Sequence, residues 1–441
     1  VMQIHGVWYD VTDFKHPGGP VALNLGRNRD ATALFEAHHM FTSRARLEGL
    51  LNKYRVPDER AAQLHAIDAG IGKPEYRFDW SLSTKPEPSD GVFTDFATEL
   101  RARAKAHFAK KAHEQGITLL QATKATWARW FCMTLCTVCF LASIVAFVHG
   151  SWIAMVLTPI VAWVYAANIS HDAMHFSVST VWWINAGLGY ICPFMSSPLQ
   201  WYRQHVVGHH AYPNVPFRDP DLAHAPAFMR VHPSVRWRPA HLWQRFSTAL
   251  VWTFGATLYM TVVPLKALYL GILNRSVPVG KLSTTRTTVH VLGRLVTAAF
   301  LWGWQWYVFQ GDLPRQVLFT VVPMLIHSLC FMLATQVNHL TEENSTCFSS
   351  EYYTHQVITS HSFAQTSSLT FWFSGGLNFQ IEHHLFPTVN HCHLHELHPI
   401  VKELCAKYNV PYHESPNFIV ALQKYGKYIG AMSMPPTEID Y

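Results

Sequence analysis

Histidine is the residue type through which this sequence announces chemistry. There are 28 in 441 residues, and many fall in clusters. "HDAMH" places His171 and His175 four apart, on one face of a helix. "HVVGHH" places His205 and His209 at the same spacing with His210 beside them, "QVNHL" adds His339, and "QIEHH" supplies His383 and His384. A single HxxxH is weak evidence, because a lone histidine is usually a satisfied polar residue. Four such groups on one side of a membrane are hard to explain without metal. Neutral imidazole suits iron, zinc and copper. Eight donors are too many for one ion, whereas two octahedral ions would use them and keep positions open. Gln380 precedes His383 and His384 on the same face, where a further ligand would be expected. Its uncharged amide is a poorer ligand than imidazole but both donates and accepts hydrogen bonds. It is therefore read as orienting a ligand or a water rather than holding metal by itself.

The elements that must carry these histidines are apolar. Hydrophobic residues make up 49% of the chain and charged ones only 14%, well below the roughly 25% of ordinary soluble proteins, which points to a membrane. Runs near 128–149, 151–169, 291–310 and 316–337 are each about 20 residues, long enough to cross a bilayer. Four crossings return the chain to its starting side. The links within each pair are tiny, while segment 170–290 holds Arg203, Arg218, Arg230, Arg236, Arg238 and further cations. The positive-inside rule then puts that segment, both termini and all the histidine groups on the cytosolic side. Stretches 181–199 and 249–273 are broken by Pro193, Pro198 and Pro264 and read as interfacial or re-entrant. The net charge of +6 is spread out, with no basic block interleaved with aromatics, so no nucleic acid partner is expected. Cys136 and Cys139 form a CxxC inside an apolar run, which reads as packing.

Ahead of the apolar runs, residues 1–56 read as a small module. "VWYDVTDF" alternates like a strand, "KHPGGP" makes a sharp turn, and "DATALFEAHH" is a short helix with Asp30 as its N-cap. Residues 57–92, punctuated by Pro57, Pro74, Pro86 and Pro88, read as a linker or surface strap, and 93–441 as the membrane domain. A helix over 94–115, capped by Thr94 and stopped by Gly116, has Phe96, Leu100, Ala104 and Phe108 on one face. It either rests on an anionic membrane surface or packs on the protein.

"HDAMH", "HVVGHH" and "GGLNFQIEHHLFP" resemble the three histidine boxes of the integral-membrane fatty acyl desaturases, and "DVTDFKHPGG" resembles the haem-binding core of cytochrome b5. Together, in this order, they are similar to the front-end desaturases, in which the two are fused. The resemblance implies a mainly α protein: a small α+β haem module, then a four-span helical membrane domain with a cytosolic di-iron cap. It implies two non-haem iron ions held by the eight histidines named above, and a double bond inserted with O2 on the carboxyl side of an existing one in a long-chain unsaturated acyl substrate. It also implies haem b between His16 and His39, with His38 as an alternative to His39, and a setting among membrane lipid in the endoplasmic reticulum. The chemistry agrees. An unactivated methylene needs an oxidant that no side chain supplies, zinc has no redox chemistry, and a haem with two histidine ligands carries single electrons. No nucleotide-binding glycine fingerprint precedes a helix, so electrons are expected from cytochrome b5 reductase and NADH. The alternatives are a b5-fused sphingolipid desaturase or a lipid hydroxylase, although a hydroxylase is expected to begin its third box with histidine. His391, His393, His395 and His398 read as surface or packing residues, "RDPDL" at 218–222 as a capped turn, and His327 as too deep in its span to reach the metals.

Overall fold

Why the apolar runs become helices is visible at their starts. In the computed structural model, which describes residues 1–191 and 197–436, Thr126, Ser151 and Asp312 each accept a backbone N–H from the first turn. These caps open Trp127–Val148, Trp152–Met174 and Leu313–Thr335, the three described helices long and apolar enough to cross a membrane. Gly150, at φ 80°, provides the left-handed turn that joins the first two in a single step. Phe131, Leu135, Val138, Leu141 and Val145 on the first helix are each more than half exposed, an apolar stripe that belongs in lipid.

The fourth expected crossing, 291–310, lies in a continuous helical stretch over 284–308. Arg286 and Arg294 occupy its first half, so it does not match the other three in apolarity. Residues 244–270 are also helical throughout, with Pro264 inside. One end of this stretch is tied to the C-terminal helix by Gln244 Nε2 donating to Ile429 O at 2.7 Å. The other leads into the hairpin Ile272–Leu273 with Val277–Pro278, whose Leu273 and Val277 pack with Met174 and Val206. Both ends thus return to the histidine side, which fits an interfacial helix with no re-entrant turn. The expectation for 181–199 falls partly on residues 192–196, outside the described residues; Trp182–Tyr190 is helical.

The N-terminal module pairs Met2–Ile4 with Val7–Tyr9 in an antiparallel hairpin and adds the helices Gly19–Gly26, Thr32–His38 and Arg44–Leu51. Asp30 caps by a local turn, its Oδ1 accepting Thr32 N–H at 3.0 Å, rather than as the residue directly preceding the helix. The segment after the module is laid on the protein. Asp68 pairs with Arg218 at 3.2 Å, Ser83 Oγ donates to Glu351 at 2.5 Å, and Phe78 stacks on Tyr212 and Phe348.

The helix Phe96–Gln115 begins one residue later than expected, with Asp95 rather than Thr94 as its cap, and stops at Gly116. Leu100, Ala104 and Phe108 are fully buried and share a core with Leu397, Val401 and Leu404 of helix Leu394–Lys407. Its apolar face is therefore occupied by protein, which removes the membrane-surface alternative for that face.

Candidate metal centre

Two helix ends and two buried segments bring the histidines together. His171 and His175 sit where Trp152–Met174 ends, and His339 follows Leu313–Thr335 by a few residues. The second box lies on Tyr202–His209, a stretch wound with i→i+5 hydrogen bonds, and the third on helix Gln380–Leu385. Each of eight imidazoles contributes one nitrogen to one of two groups. His171, His175, His205, His210 and His383 form the first and His209, His339 and His384 the second, with the ligand atoms of each group within 4.8 Å of one another. The groups abut, with the His210 and His384 rings stacked at 4.2 Å.

The wide winding of the second box corrects its reading as an ordinary helix. The His205 and His209 rings stay stacked at 5.6 Å, but their ligand atoms fall in different groups. His210 N–H bonds to His205 O at 2.8 Å, and the Nε2 atoms of this pair lie 3.2 Å apart in the first group. His209 points instead at His339, Nε2 to Nε2 at 3.2 Å. Such i→i+5 turns recur at functional sites because they re-aim side chains within a helix. Gly208 permits this packing, since a Cβ there would strike Pro220 and Val277.

Buried nitrogens without partners test whether a cation fits. Both ring nitrogens of His175, Nε2 of His383 and Nε2 of His384 are buried and bond to nothing in the protein. His171 and His205 place Nε2 atoms 2.8 Å apart. An orphaned buried polar atom costs about 1–3 kcal/mol, so a cluster of them is a strained arrangement unless a cation completes it. Burial and the neighbouring imidazoles hold His205, His210, His383 and His384 well below the ordinary histidine range, which keeps them in the neutral, ligating form. The donor set fits two ions of a metal that accepts imidazole.

Surrounding residues fix the outward nitrogens. His339 Nδ1 donates to Thr359 O at 2.8 Å, His384 Nδ1 to Gln356 Oε1 at 3.0 Å, and His209 Nδ1 to Asp219 Oδ2 at 3.1 Å. Burial opposes charge on His209, yet Asp219 and Asp221 raise it to about 9. At that value both ring nitrogens carry a proton, so a metal would bind by displacing the one on Nε2 while Asp219 keeps the Nδ1–H. "RDPDL" is thus more than a capped turn, although Asp219 does also cap residues 220–223. His391, read from sequence as a surface or packing residue, is buried behind the first group, with its Nε2 3.0 Å from His383 Nδ1 and its Nδ1 3.0 Å from Asp172. A Cβ on Gly376, which sits at φ 86°, would collide with its ring. His393 and His398 make packing bonds, to Lys124 O and Glu382, and His395 is exposed. His327 lines a separate narrow cavity between Trp152–Met174 and Leu313–Thr335. Gln380 directs its amide nitrogen at His339 Nε2, 2.8 Å away, while its oxygen accepts from Asn338 at 2.9 Å.

Asp219→Asn should lower metal affinity about 10–100-fold, the usual cost of losing such an outer partner. Metal titration against the unaltered protein reads this directly, and unchanged affinity would remove Asp219 from the site.

In the N-terminal module the rings of His16 and His39 face each other edge-on with centroids 5.8 Å apart. These two imidazoles would hold the haem, whose iron would carry electrons one at a time. His39 is anchored through Nδ1 to Phe35 O at 2.8 Å, whereas His38 turns away from His16 to meet Phe176. Burial, reinforced by His39, lowers His16 to about 4, so it too is neutral. Of the two candidates, His39 has the placement that suits a haem ligand.

The chain matches the family model described as fatty acid desaturase over residues 143–416, and that of the cytochrome b5-like haem/steroid binding domain over residues 1–58. Among curated proteins it is 29% identical to an acyl-lipid (8-3)-desaturase of Mortierella alpina, across 99% of this chain and 94% of the relative. It is 25% identical to acyl-lipid (8-3)-desaturase B of Dictyostelium discoideum, across 98% and 91%, and 28% identical to an acyl-lipid omega-13 desaturase of Chlamydomonas reinhardtii, across 92% and 88%. No solved structure matches.

Proposed function

Because the chain belongs to the fatty acid desaturase family and carries a cytochrome b5-like module at its N-terminus, we infer that it is a front-end acyl desaturase, an O2-dependent oxidoreductase of lipid metabolism. It inserts a double bond on the carboxyl side of an existing one in a long-chain polyunsaturated acyl group, with haem and two non-haem irons as cofactors. The observation that carries this reading is the convergence of eight imidazoles in two groups beside a narrow cleft. The relatives' names point to an acyl group esterified to a lipid as the substrate.

When bound, the irons and O2 supply the oxidant for an unactivated methylene, and the haem supplies electrons one at a time. The chain's own residues do the rest. Trp163, Ala167, Trp201 and Phe331 give the cleft an apolar wall against His171, His205, His209 and His339, which aligns methylenes and excludes water. A front-end enzyme reacts close to the carboxyl end, so a polar rim must lie near the histidines. Gln204, Asp221 and His224, joined by hydrogen bonds of 2.8–3.0 Å, form such a rim, and we assign them the ester end of the substrate.

The residue assignments follow the same reading: His16 and His39 for haem, and His171, His175, His205, His209, His210, His339, His383 and His384 for iron. Gln380 acts as an orienting group rather than an independent ligand. Gln380→Ala should then keep most of its non-haem iron while losing desaturation, and Gln380→His should bind iron at least as well yet desaturate poorly. Iron loss as complete as in His384→Ala would place Gln380 among the ligands. We further assign a haem module over 1–56, a strap over 57–92, and a membrane domain with four crossings. The metal side, with both termini, faces the cytosol at the endoplasmic reticulum, and cytochrome b5 reductase with NADH is the electron source.

Expression with a panel of polyunsaturated acyl-lipids, with the new double bond located by mass spectrometry, tests the function. A product with one added double bond toward the carboxyl end is expected. A hydroxylated product, or a new bond on the methyl side, would overturn the front-end reading.

A further inference from the structure

The N-terminal module does not merely sit near the membrane domain. Val21, Leu25 and Leu34 share a cluster with Met174, Val178, Tyr202 and Val206, and a Cβ on Gly19 would strike Trp182. The face that carries the haem histidines is therefore docked beside the first histidine box. At this contact two residues have features that docking alone does not require. His38, next in sequence to His39, has its Nδ1 fixed on Leu34 O at 2.8 Å, while its Nε2 is buried without a protein partner. Its ring meets Phe176 edge-on with centroids 6.1 Å apart. Phe176 directly follows His175 and takes φ 57°, a conformation that bulky residues rarely adopt. That backbone is held by Lys124 Nζ donating to Phe176 O at 3.0 Å and by Phe176 N–H donating to Ala173 O at 3.0 Å. Strain of this kind persists where the surroundings over-determine it, and it gathers at functional sites.

We propose that His38 and Phe176 form the electron-transfer contact between the haem and the first histidine group, the route running from His39 through the His38 ring and the Phe176 ring to His175. The inference rests on the desaturase reading above. One electron leaves the ferrous haem, which becomes ferric, and reduces the non-haem metal centre. Neither ring is itself oxidised; each shortens the gap the electron must cross. The external reductase restores the haem, and two such transfers serve each double bond formed.

Haem absorbance tests this in the purified, fully loaded enzyme. The haem is reduced anaerobically, then mixed with O2 and acyl substrate, and its reoxidation is followed. Haem and non-haem iron contents are measured alongside. His38→Leu and Phe176→Leu should each slow reoxidation several-fold, Phe176→Tyr should restore it, and Leu34→Ala, which loosens the same interface off the route, should leave it near the unaltered rate. Equal slowing by all the interface variants would show a docking effect and overturn the route, as would no slowing by either His38→Leu or Phe176→Leu. If a leucine variant loses haem or metal, the other decides. Failure of the unaltered enzyme to reoxidise its haem would instead overturn the fused electron supply itself.

Discussion

Alanine at His171, His209 or His384 is expected to abolish desaturation and to lower the non-haem iron recovered per chain. His384 is one of only three imidazoles in the second group, together with His209 and His339, so its loss leaves two nitrogens for an ion that prefers more. His209 is the ligand whose outward nitrogen is fixed by Asp219, and removing it leaves that buried carboxylate only the backbone N–H groups of Asn214 and Asp221. His171 lies in contact with His175, His205, His383 and His391 at once, with ring centroids 4.7–5.2 Å away. Losing a direct ligand should cost more than the 10–100-fold typical of an outer partner. The haem spectrum should be unchanged, because His16 and His39 belong to a separate module. Iron analysis and product measurement on one preparation read both effects, and full activity in any of the three variants would remove that histidine from the centre.

His16→Ala and His39→Ala should each abolish the haem absorbance and NADH-driven turnover while leaving the non-haem iron in place. The rings stand 5.8 Å apart and together would hold the haem, so loss of either removes half of that histidine pair. The measurement needs a purified system without a separate cytochrome b5, which could substitute as donor. Normal turnover by a haem-free variant in that system would sink the fused-donor account. His38→Ala should keep its haem, because its ring faces Phe176 rather than His16.

Much of this was legible in the sequence for simple physical reasons. Runs of about 20 apolar residues can hardly be anything but crossings, and Trp127–Val148, Trp152–Met174 and Leu313–Thr335 follow them closely. "HDAMH" obeys ordinary helical spacing, so His171 and His175 fall in one group as their separation requires. The second box defeats that rule, because i→i+5 winding moves His210 into register with His205 and sends His209 to the other group. Nothing in the pattern "HVVGHH" reports its winding; only Gly208, pressed against Pro220, hints that the backbone is constrained there. Asp219 and His391 escape sequence reading because their bonds depend on how the chain turns back after each box, Asp219 onto His209 and His391 onto His383 and Asp172. The helix Phe96–Gln115 shows the converse error. Its apolar stripe is plain in the sequence, but a stripe cannot say whether lipid or helix Leu394–Lys407 will cover it. The stretch 284–308 keeps the expected helix but falls short of the other three in apolarity, with Arg294 near the start of the run 291–310 and Arg286 ahead of it.

The most direct measurement is the metal content of enzyme shown to be turning over. Purified protein that desaturates an acyl-lipid substrate, analysed in the same sample for haem and for total metals, should contain two non-haem irons per chain beyond the haem iron, as two groups of histidines imply. Stoichiometric zinc with no non-haem iron in that active sample would contradict the account.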